Sequence, residues 1–275
     1  MTHLVSRKQS LTDWQRVQLA QLEYHDWHLG EDVLLPDGQL IGEVIKVIWM
    51  ADGFRATVIR SAAYPQIIVL FRGSSGVRKG DPTTWTNEWL RVNLPIGNAI
   101  INQVPDVPQE LWTASKEFNH LLASYPQMTF FLYGHSLGSI NAQFALANCH
   151  YPERISAAYL YEGPNLYWLL DAKQRQTTTL LRCQIFNYID PLDVVALGYI
   201  DMEHTIGLLR VIDSMMTSPI NQHMWGGYQF DKQQNLLLEN DFWQNRRAQI
   251  DQRLMVDYRM KLATQLVVNK KRHSA

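Results

Sequence analysis

The stretch FFLYGHSLGSINAQFAL, residues 130–146, places Ser136 between two glycines, Gly134 and Gly138. A serine hydroxyl is a weak nucleophile, so a reactive serine needs a turn that exposes it and a neighbouring base that takes its proton. The Gly-x-Ser-x-Gly spacing also arises by chance, because glycine makes up about 7% of protein residues. The pattern alone therefore leaves two interpretations, a nucleophile and a serine in an ordinary turn.

The surrounding sequence favours the nucleophile. MTFFLY before the motif predicts a strand, and SINAQFALANC after it predicts a helix. A serine at a sharp strand-to-helix turn has a strained backbone that crowds the side chains two residues away on either side, and glycines at those positions remove the crowding. The same turn would direct the N–H group of Leu137 and the helix N-terminus toward negative charge developing on a bound carbonyl oxygen.

A second motif lies upstream of the serine. LFRGSSGVRKGDPTTWTNEWL places Arg72-Gly73-Ser74 directly after a predicted buried strand, and Trp85-x-Asn87 follows in the next loop. Together with GHSLG, this segment resembles the class 3 lipases, the fungal-type triacylglycerol lipase branch of the α/β-hydrolases, over roughly residues 66–230. The resemblance implies hydrolysis of a carboxylic ester, and it implies that the N–H groups of Ser74 and Leu137 form the oxyanion hole.

The histidine of such a site follows the acid, in the order serine, acid, histidine, so only histidines after Ser136 qualify. His150 ends the helix that the turn begins, and His273 lies in the charged tail. The remaining candidates are His204, in IDMEHTIG, and His223, in INQHMWGGYQF. We favour His223, because it follows the last predicted strand in a glycine-containing loop and resembles the final His-containing segment of class 3 lipases.

The acid is expected in the loop after the strand RCQIFNYI, where NYIDPLDVVALG offers Asp190 and Asp193. Asp190 precedes a proline, which is typical of a turn. Asp193 is followed by two valines, and this apolar continuation fits the class 3 lipase pattern of an Asn near the strand end and then an Asp. We favour Asp193 as the acid and keep Asp190 as the alternative.

These residues predict acyl transfer to water by a Ser136–His223–Asp193 triad, with an ester or acyl lipid as substrate. No cofactor and no metal is expected, because His25 and His28 have no cysteine or carboxylate cluster at ligand spacing. Two other functions stay open: a non-catalytic interaction protein on a hydrolase scaffold, and a soluble esterase or acyltransferase for small esters. Several aromatic side chains could line an acyl pocket or pack in the core: Trp85, Trp89, Trp168, Trp225 and Tyr228.

The elements that must position these residues alternate between strands and helices, which predicts an α/β-hydrolase fold with a mainly parallel sheet covered on both faces. We expect one domain over residues 1–275, with an N-terminal helix between Leu11 and His25 and a hairpin turning at Ala51-Asp52-Gly53. Another helix is expected around Leu166 to Gln176. The amphipathic segment 239–269 predicts a C-terminal helix that packs on the domain.

The composition of the chain argues against nucleic acid as a partner. A chain of 275 residues with a net charge of −1 offers no field that would hold nucleic acid. The first fifteen residues lack the apolar core of a signal peptide, and two cysteines are too few for a disulfide framework. We therefore expect a cytoplasmic protein, or one exported without a cleaved signal peptide. Transient contact with a membrane or micelle surface is compatible with a lipid substrate, and the sequence does not predict an oligomeric state.

Overall fold

The computed structural model describes residues 11–74, 107–199 and 202–239. Its eight strands are β1 Asp32–Leu34, β2 Leu40–Trp49, β3 Arg55–Ser61, β4 Gln66–Phe71, β5 Thr129–His135, β6 Ile155–Tyr161, β7 Ile185–Ile189 and β8 Leu208–Val211. Its α-helices are α1 Asp13–Gln21, α2 Gln109–Ser124, α3 Leu137–Ala147, α4 Ala172–Leu180 and α5 Pro219–His223. Short 3₁₀ turns occupy Leu22–Tyr24, Pro152–Arg154, Tyr167–Leu169 and Arg182–Gln184.

The strands form one sheet in sequence order, β1 to β8. The first three neighbouring pairs are antiparallel, and the four pairs from β4 to β8 are parallel. The parallel strands require crossovers, and α2, α3 and α4 lie between successive strands of this part. The α/β-hydrolase fold predicted from the sequence is therefore confirmed, with a parallel half that carries the site and an antiparallel half at its N-terminal side.

Two apolar clusters cover the two faces of the sheet. One joins the strands to α2 and α3 through buried side chains such as Phe118, Phe144 and Leu146. The other joins the strands to α1 and to the segment 225–238 through residues such as Leu19 and Trp225. The central strand β4 is buried at every position, which explains the apolar run IIVLF that follows Gln66.

The N-terminal elements follow the sequence signals closely. Thr12 caps α1 in a capping box with Gln15, in which each side chain bonds to the backbone of the other residue. The hairpin of β2 and β3 turns at Ala51-Asp52-Gly53, where Gly53 has a φ of 106° and the Asp52 side chain accepts the Phe54 N–H.

One predicted helix is displaced. The segment expected to be helical from Leu166 to Gln176 instead contains a 3₁₀ turn, and α4 begins only at Ala172. The reason is Asp171, whose carboxylate accepts the Gln174 N–H at 2.8 Å and so fixes the start of the helix.

Some predictions fall on segments outside the described residues: the C-terminal helix 239–269, apart from Glu239, and the loop after Ser74 with Trp85 and Trp89. The single-domain organisation over 1–275 stays a prediction for the same reason. Among the described helices, none combines the length and apolar character needed to cross a membrane.

Candidate active site

Ser136 occupies the turn between β5 and α3. Its φ of 54° and ψ of −121° lie in a region that non-glycine residues rarely adopt, a conformation that costs on the order of 1–3 kcal/mol. The Ser136 N–H donates to the Tyr161 carbonyl at 2.9 Å, and the Ser136 carbonyl accepts the Ile140 N–H at 3.3 Å. Hydrogen bonds to the end of β6 and to the first turn of α3 thus hold the serine in the strained turn.

The flanking glycines are required by close backbone approaches. A Cβ at Gly138 would lie 2.0 Å from the carbonyl oxygen of Phe71, and one at Gly134 would lie 2.5 Å from the carbonyl oxygen of Gly138. A side chain at Gly138 would force the turn away from β4, and one at Gly134 would force β5 and α3 apart. The glycines therefore let the backbones of β4, β5 and α3 meet beside Ser136.

His223 and Asp193 form a buried pair. The His223 Nδ1 lies 2.7 Å from the Asp193 Oδ2, and each side chain is only 1% exposed. The other Asp193 oxygen accepts the Val195 N–H at 3.0 Å, which fixes the carboxylate plane. A carboxylate at Nδ1 holds the imidazole proton there, so the lone pair of a neutral His223 is on Nε2.

The Nε2 atom of His223 is buried and makes no hydrogen bond to any described residue. His223 nevertheless lies beside the serine turn, because its backbone carbonyl is 2.7 Å from the Nε2 of His135, the residue before Ser136. The rings of His135 and His223 have centroids 4.7 Å apart. His223 Nε2 can therefore accept a proton from a donor at the turn. The lack of a hydrogen bond there now does not argue against this role, because catalytic hydrogen bonds are often long or poorly aligned without substrate.

Asp190 has different partners. Its carboxylate accepts the Leu192 N–H at 2.8 Å, the Ser214 hydroxyl at 2.7 Å and the side-chain amide of Gln222. Burial raises the pKa of Asp190, and the hydrogen bonds from Gln222 and the Leu192 backbone oppose that rise. Asp190 thus binds the residue that precedes His223, whereas Asp193 binds His223 itself.

His135, the middle residue between Gly134 and Ser136, is the centre of a buried network that the sequence analysis missed. A carbonyl only accepts, so the His135 Nε2 carries the proton that it donates to His223, and its Nδ1 accepts the Tyr24 hydroxyl at 2.7 Å. Burial, together with the charge of nearby His223, lowers the pKa of His135 well below its usual value. His135 is therefore a neutral tether between the strand that carries Ser136 and the helix that carries His223.

A second missed residue is Glu162, at the end of β6. Its buried carboxylate accepts the Asp190 N–H at 2.9 and 3.1 Å and the Tyr228 hydroxyl, and its own φ is 49°. Burial is the largest cause that raises the pKa of Glu162, followed by the charges of Asp193 and Asp190. Glu162 therefore fixes the start of the loop that carries Asp190 and Asp193.

The predicted oxyanion donors lie on two neighbouring strand ends. Leu137 is the first residue of α3, where helix N–H groups have no partner one turn earlier. Ser74 is the last described residue of its segment, and a Cβ at the preceding Gly73 would lie 2.8 Å from the His135 carbonyl oxygen. The two segments are thus in backbone contact beside Ser136.

The other candidates have different surroundings. His204 stacks on Trp168, with ring centroids 4.8 Å apart, and His150 is exposed just beyond α3. Trp225 packs against His135 at 3.9 Å between centroids, so it belongs to the core around the site. In the part of the chain that the structure describes, no three His, Cys, Asp or Glu side chains are grouped as metal ligands, and His25 and His28 both face Glu31.

The solved structures that are similar to this chain include lipases from three fungi. They are a Rhizomucor miehei lipase in a propeptide complex, a Penicillium expansum triacylglycerol lipase and a Rhizopus microsporus var. chinensis lipase. Their sequence identities are 15%, 16% and 17%, and their TM-scores are 0.42, 0.44 and 0.40. The matches cover 72%, 75% and 64% of this chain and 66%, 83% and 63% of those chains. No protein-family model and no curated protein matches the sequence.

Proposed function

We propose that this protein is a serine hydrolase that cleaves carboxylic esters, with acyl lipids as its substrate class, in the manner of a lipase or phospholipase A. The observation that carries the proposal is the buried 2.7 Å contact between His223 and Asp193, made beside the strained turn of Ser136. The second nitrogen of His223 has no hydrogen-bond partner among the described residues, so it can take a proton from the serine.

In the proposed reaction, the Ser136 Oγ attacks the ester carbonyl while the His223 Nε2 takes its proton. Asp193 holds the imidazole orientation and stabilises the imidazolium that forms. The N–H groups of Ser74 and Leu137 bind the oxyanion of the tetrahedral intermediate. His223 then protonates the departing alcohol, which leaves an acyl group on Ser136.

Deacylation repeats these roles with water as the nucleophile. His223 takes a proton from the water as it attacks the acyl carbonyl, and it returns that proton to Ser136 when the carboxylic acid leaves. The tether from His135 to the His223 carbonyl supports this cycle, because it holds the base close to the turn throughout both half-reactions.

The deciding experiment compares wild type with Ser136→Ala. We expect a fluorophosphonate probe to label wild type but not the variant, and ester turnover to fall by about 10⁴ or more. Ser115→Ala is the matched control, since Ser115 is a buried serine of α2, and it should keep both labelling and turnover. Undiminished hydrolysis by folded Ser136→Ala would refute the proposed nucleophile, and an unlabelled, inactive wild type would indicate an interaction protein.

The substrate class is tested with esters of increasing acyl length, assayed below and above their micelle threshold. An acyl-lipid enzyme is expected to turn over long-chain and micellar esters faster than short soluble ones. A preference for short soluble esters, with no rise above the threshold, would support an esterase or acyltransferase instead.

A further inference from the structure

Glu23 is a carboxylate that the proposed mechanism does not use, and it is only 1% exposed. It lies in the 3₁₀ turn after α1, between the buried residues Ala20 and Tyr24. Charged side chains are almost never buried to this extent unless they are paired. The hydrogen bonds of Glu23 therefore indicate why it is there.

Each oxygen of Glu23 binds a different strand end. The Oε1 accepts the Gly73 N–H at 3.0 Å, and the Oε2 accepts the His135 N–H at 3.1 Å. Residues 73 and 135 are far apart in sequence, yet Gly73 immediately precedes Ser74 and His135 immediately precedes Ser136. One side chain thus joins the two segments that carry the proposed oxyanion donors.

The two segments need such a link because their sheet pairing ends there. The last register pair of β4 and β5 is Phe71 with Gly134, and beyond it one chain enters a loop while the other enters the serine turn. The Gly73 backbone still lies close by, since a Cβ there would be 2.8 Å from the His135 carbonyl oxygen. Glu23 takes the place of the next ladder hydrogen bonds.

We propose that Glu23 is a positioning residue that fixes the distance between the Ser74 and Leu137 N–H groups. This inference rests on the proposed function. An oxyanion hole works only when both donors lie about 2.7–3.1 Å from the developing oxyanion, and a displacement of about 1 Å can cost 10²-fold in rate. Ser74 is one residue beyond a clamped N–H, and Leu137 is two residues beyond the other.

The side chain of Glu23 has two oxygens, one for each of the two N–H groups that it binds. Burial raises the pKa of Glu23 well above its usual value, while the hydrogen bonds that it accepts from the Gly73 and His135 N–H groups and the positive charge of Arg72 oppose that rise. A glutamine has the same shape but only one oxygen, so its NH₂ group would face one of the two N–H donors. Glu23→Gln therefore breaks one arm of the clamp with little change in volume.

The kinetic test uses Glu23→Gln, with Glu43→Gln on the exposed side of β2 as the control for the same chemical change. We expect kcat to fall by about 10- to 10³-fold, with KM within about threefold of wild type, because a displaced oxyanion donor acts on the transition state. Glu43→Gln should leave both constants unchanged. Wild-type kcat in a folded Glu23→Gln would overturn the inference.

A second readout separates positioning from general damage to the site. Each protein is assayed with p-nitrophenyl butyrate and its thionoester, whose larger sulfur is a weak hydrogen-bond acceptor in the hole. If Glu23 acts through the oxyanion donors, the preference for ester over thionoester falls at least tenfold in Glu23→Gln. Equal losses on both substrates would show a merely structural role.

Amide hydrogen exchange tests the clamp without catalysis. At least one of the Gly73 and His135 N–H groups should exchange at least tenfold faster in Glu23→Gln, whereas the Asp190 N–H, held by Glu162, should keep its rate. Unchanged exchange at Gly73 and His135 would overturn the clamp. If wild type has no ester turnover, the proposed function and the catalytic part of this inference both fail, and exchange still decides whether Glu23 joins the strands.

Discussion

Asp193→Asn is the sharpest test of the proposed triad. The substitution preserves the size of the side chain, and its remaining oxygen can still accept the Val195 N–H, which Asp193 binds at 3.0 Å. The new NH₂ group then takes the position of the Oδ2 that lies 2.7 Å from the His223 Nδ1. Two donors cannot face each other, so the imidazole proton moves to Nε2 and His223 can no longer accept the proton of Ser136.

The size of the effect follows from that tautomer. Replacing the triad acid by its amide costs about 10⁴ in kcat in serine proteases for the same reason. At 1.36 kcal/mol for each factor of ten, the expected loss is about 5 kcal/mol of transition-state stabilisation. Because both side chains of the pair are only 1% exposed, we expect Asp193→Asn to approach this full loss.

Asp190→Asn is the matched comparison, three residues earlier in the same loop. It alters the hydrogen bonds to Gln222 and Ser214 but leaves the His223 pair intact. We expect a decrease of about 1–3 kcal/mol in the free energy of unfolding and a loss of less than about 10²-fold in kcat. The assay measures kcat for a soluble ester in wild type, Asp193→Asn and Asp190→Asn. Circular dichroism confirms that each protein is folded. A folded Asp190→Asn that loses as much activity as Asp193→Asn would refute the assignment of the acid.

Two further predictions concern the turn and its tether. Gly138→Ala should cost about 1–3 kcal/mol in the free energy of unfolding and most of the ester turnover, because its Cβ would lie 2.0 Å from the Phe71 carbonyl oxygen. Gly38→Ala is the control, because a Cβ there would meet open space at a φ of +85°, and it should cost about 1 kcal/mol in the free energy of unfolding with no loss of ester turnover. Chemical denaturation and a turnover assay compare the two variants, and equal losses of stability and activity in both would contradict this reasoning. His135 keeps its lowered pKa only when folded, so its contribution to stability is present above the unfolded value of about 6.5 and is lost as pH falls below it. When the pH falls from about 6.5 to 5, the free energy of unfolding should therefore decrease less in His135→Gln than in wild type, by up to about 1.4 kcal/mol per pH unit. The measurement is chemical denaturation at several pH values, and an equal pH dependence in the two proteins would count against a neutral buried His135.

Features set by local sequence were predictable. The strand ISAAYLY is β6, Ile155–Tyr161, and the serine turn lies between the predicted strand and helix, because both depend on apolar patterns and on glycine at fixed spacing. The apolar residues from Leu166 onward predict an earlier start for α4 than the structure has. The true start is marked by Asp171 and Gln174, which form a capping box at a spacing that is visible in the sequence.

The buried carboxylates could not be predicted in this way. Glu23 lies in a short segment near the N-terminus, and nothing local distinguishes it from an exposed glutamate. Its burial depends on the Gly73 and His135 N–H groups, which reach it only when β4 and β5 are paired. The same holds for Glu162, whose partner Asp190 directly follows the neighbouring strand β7. Sequence patterns report periodicity along the chain, whereas these groups depend on contacts across it.

The doubled aspartate of NYIDPLDVVALG now has a physical explanation. Helix α5 spans only Pro219–His223 and has no side-chain cap at its N-terminus, so it has little stability of its own. Asp190 binds Gln222 and Asp193 binds His223, and the Asp193 N–H donates to the Asp190 carbonyl at 3.0 Å, which joins the two acceptors in one turn. Consecutive helical residues point about 100° apart, so two acceptors at these positions fix the rotation of the helix as well as its place. Asp190 therefore supports the proposed base without touching it, because it holds Gln222, the residue before His223.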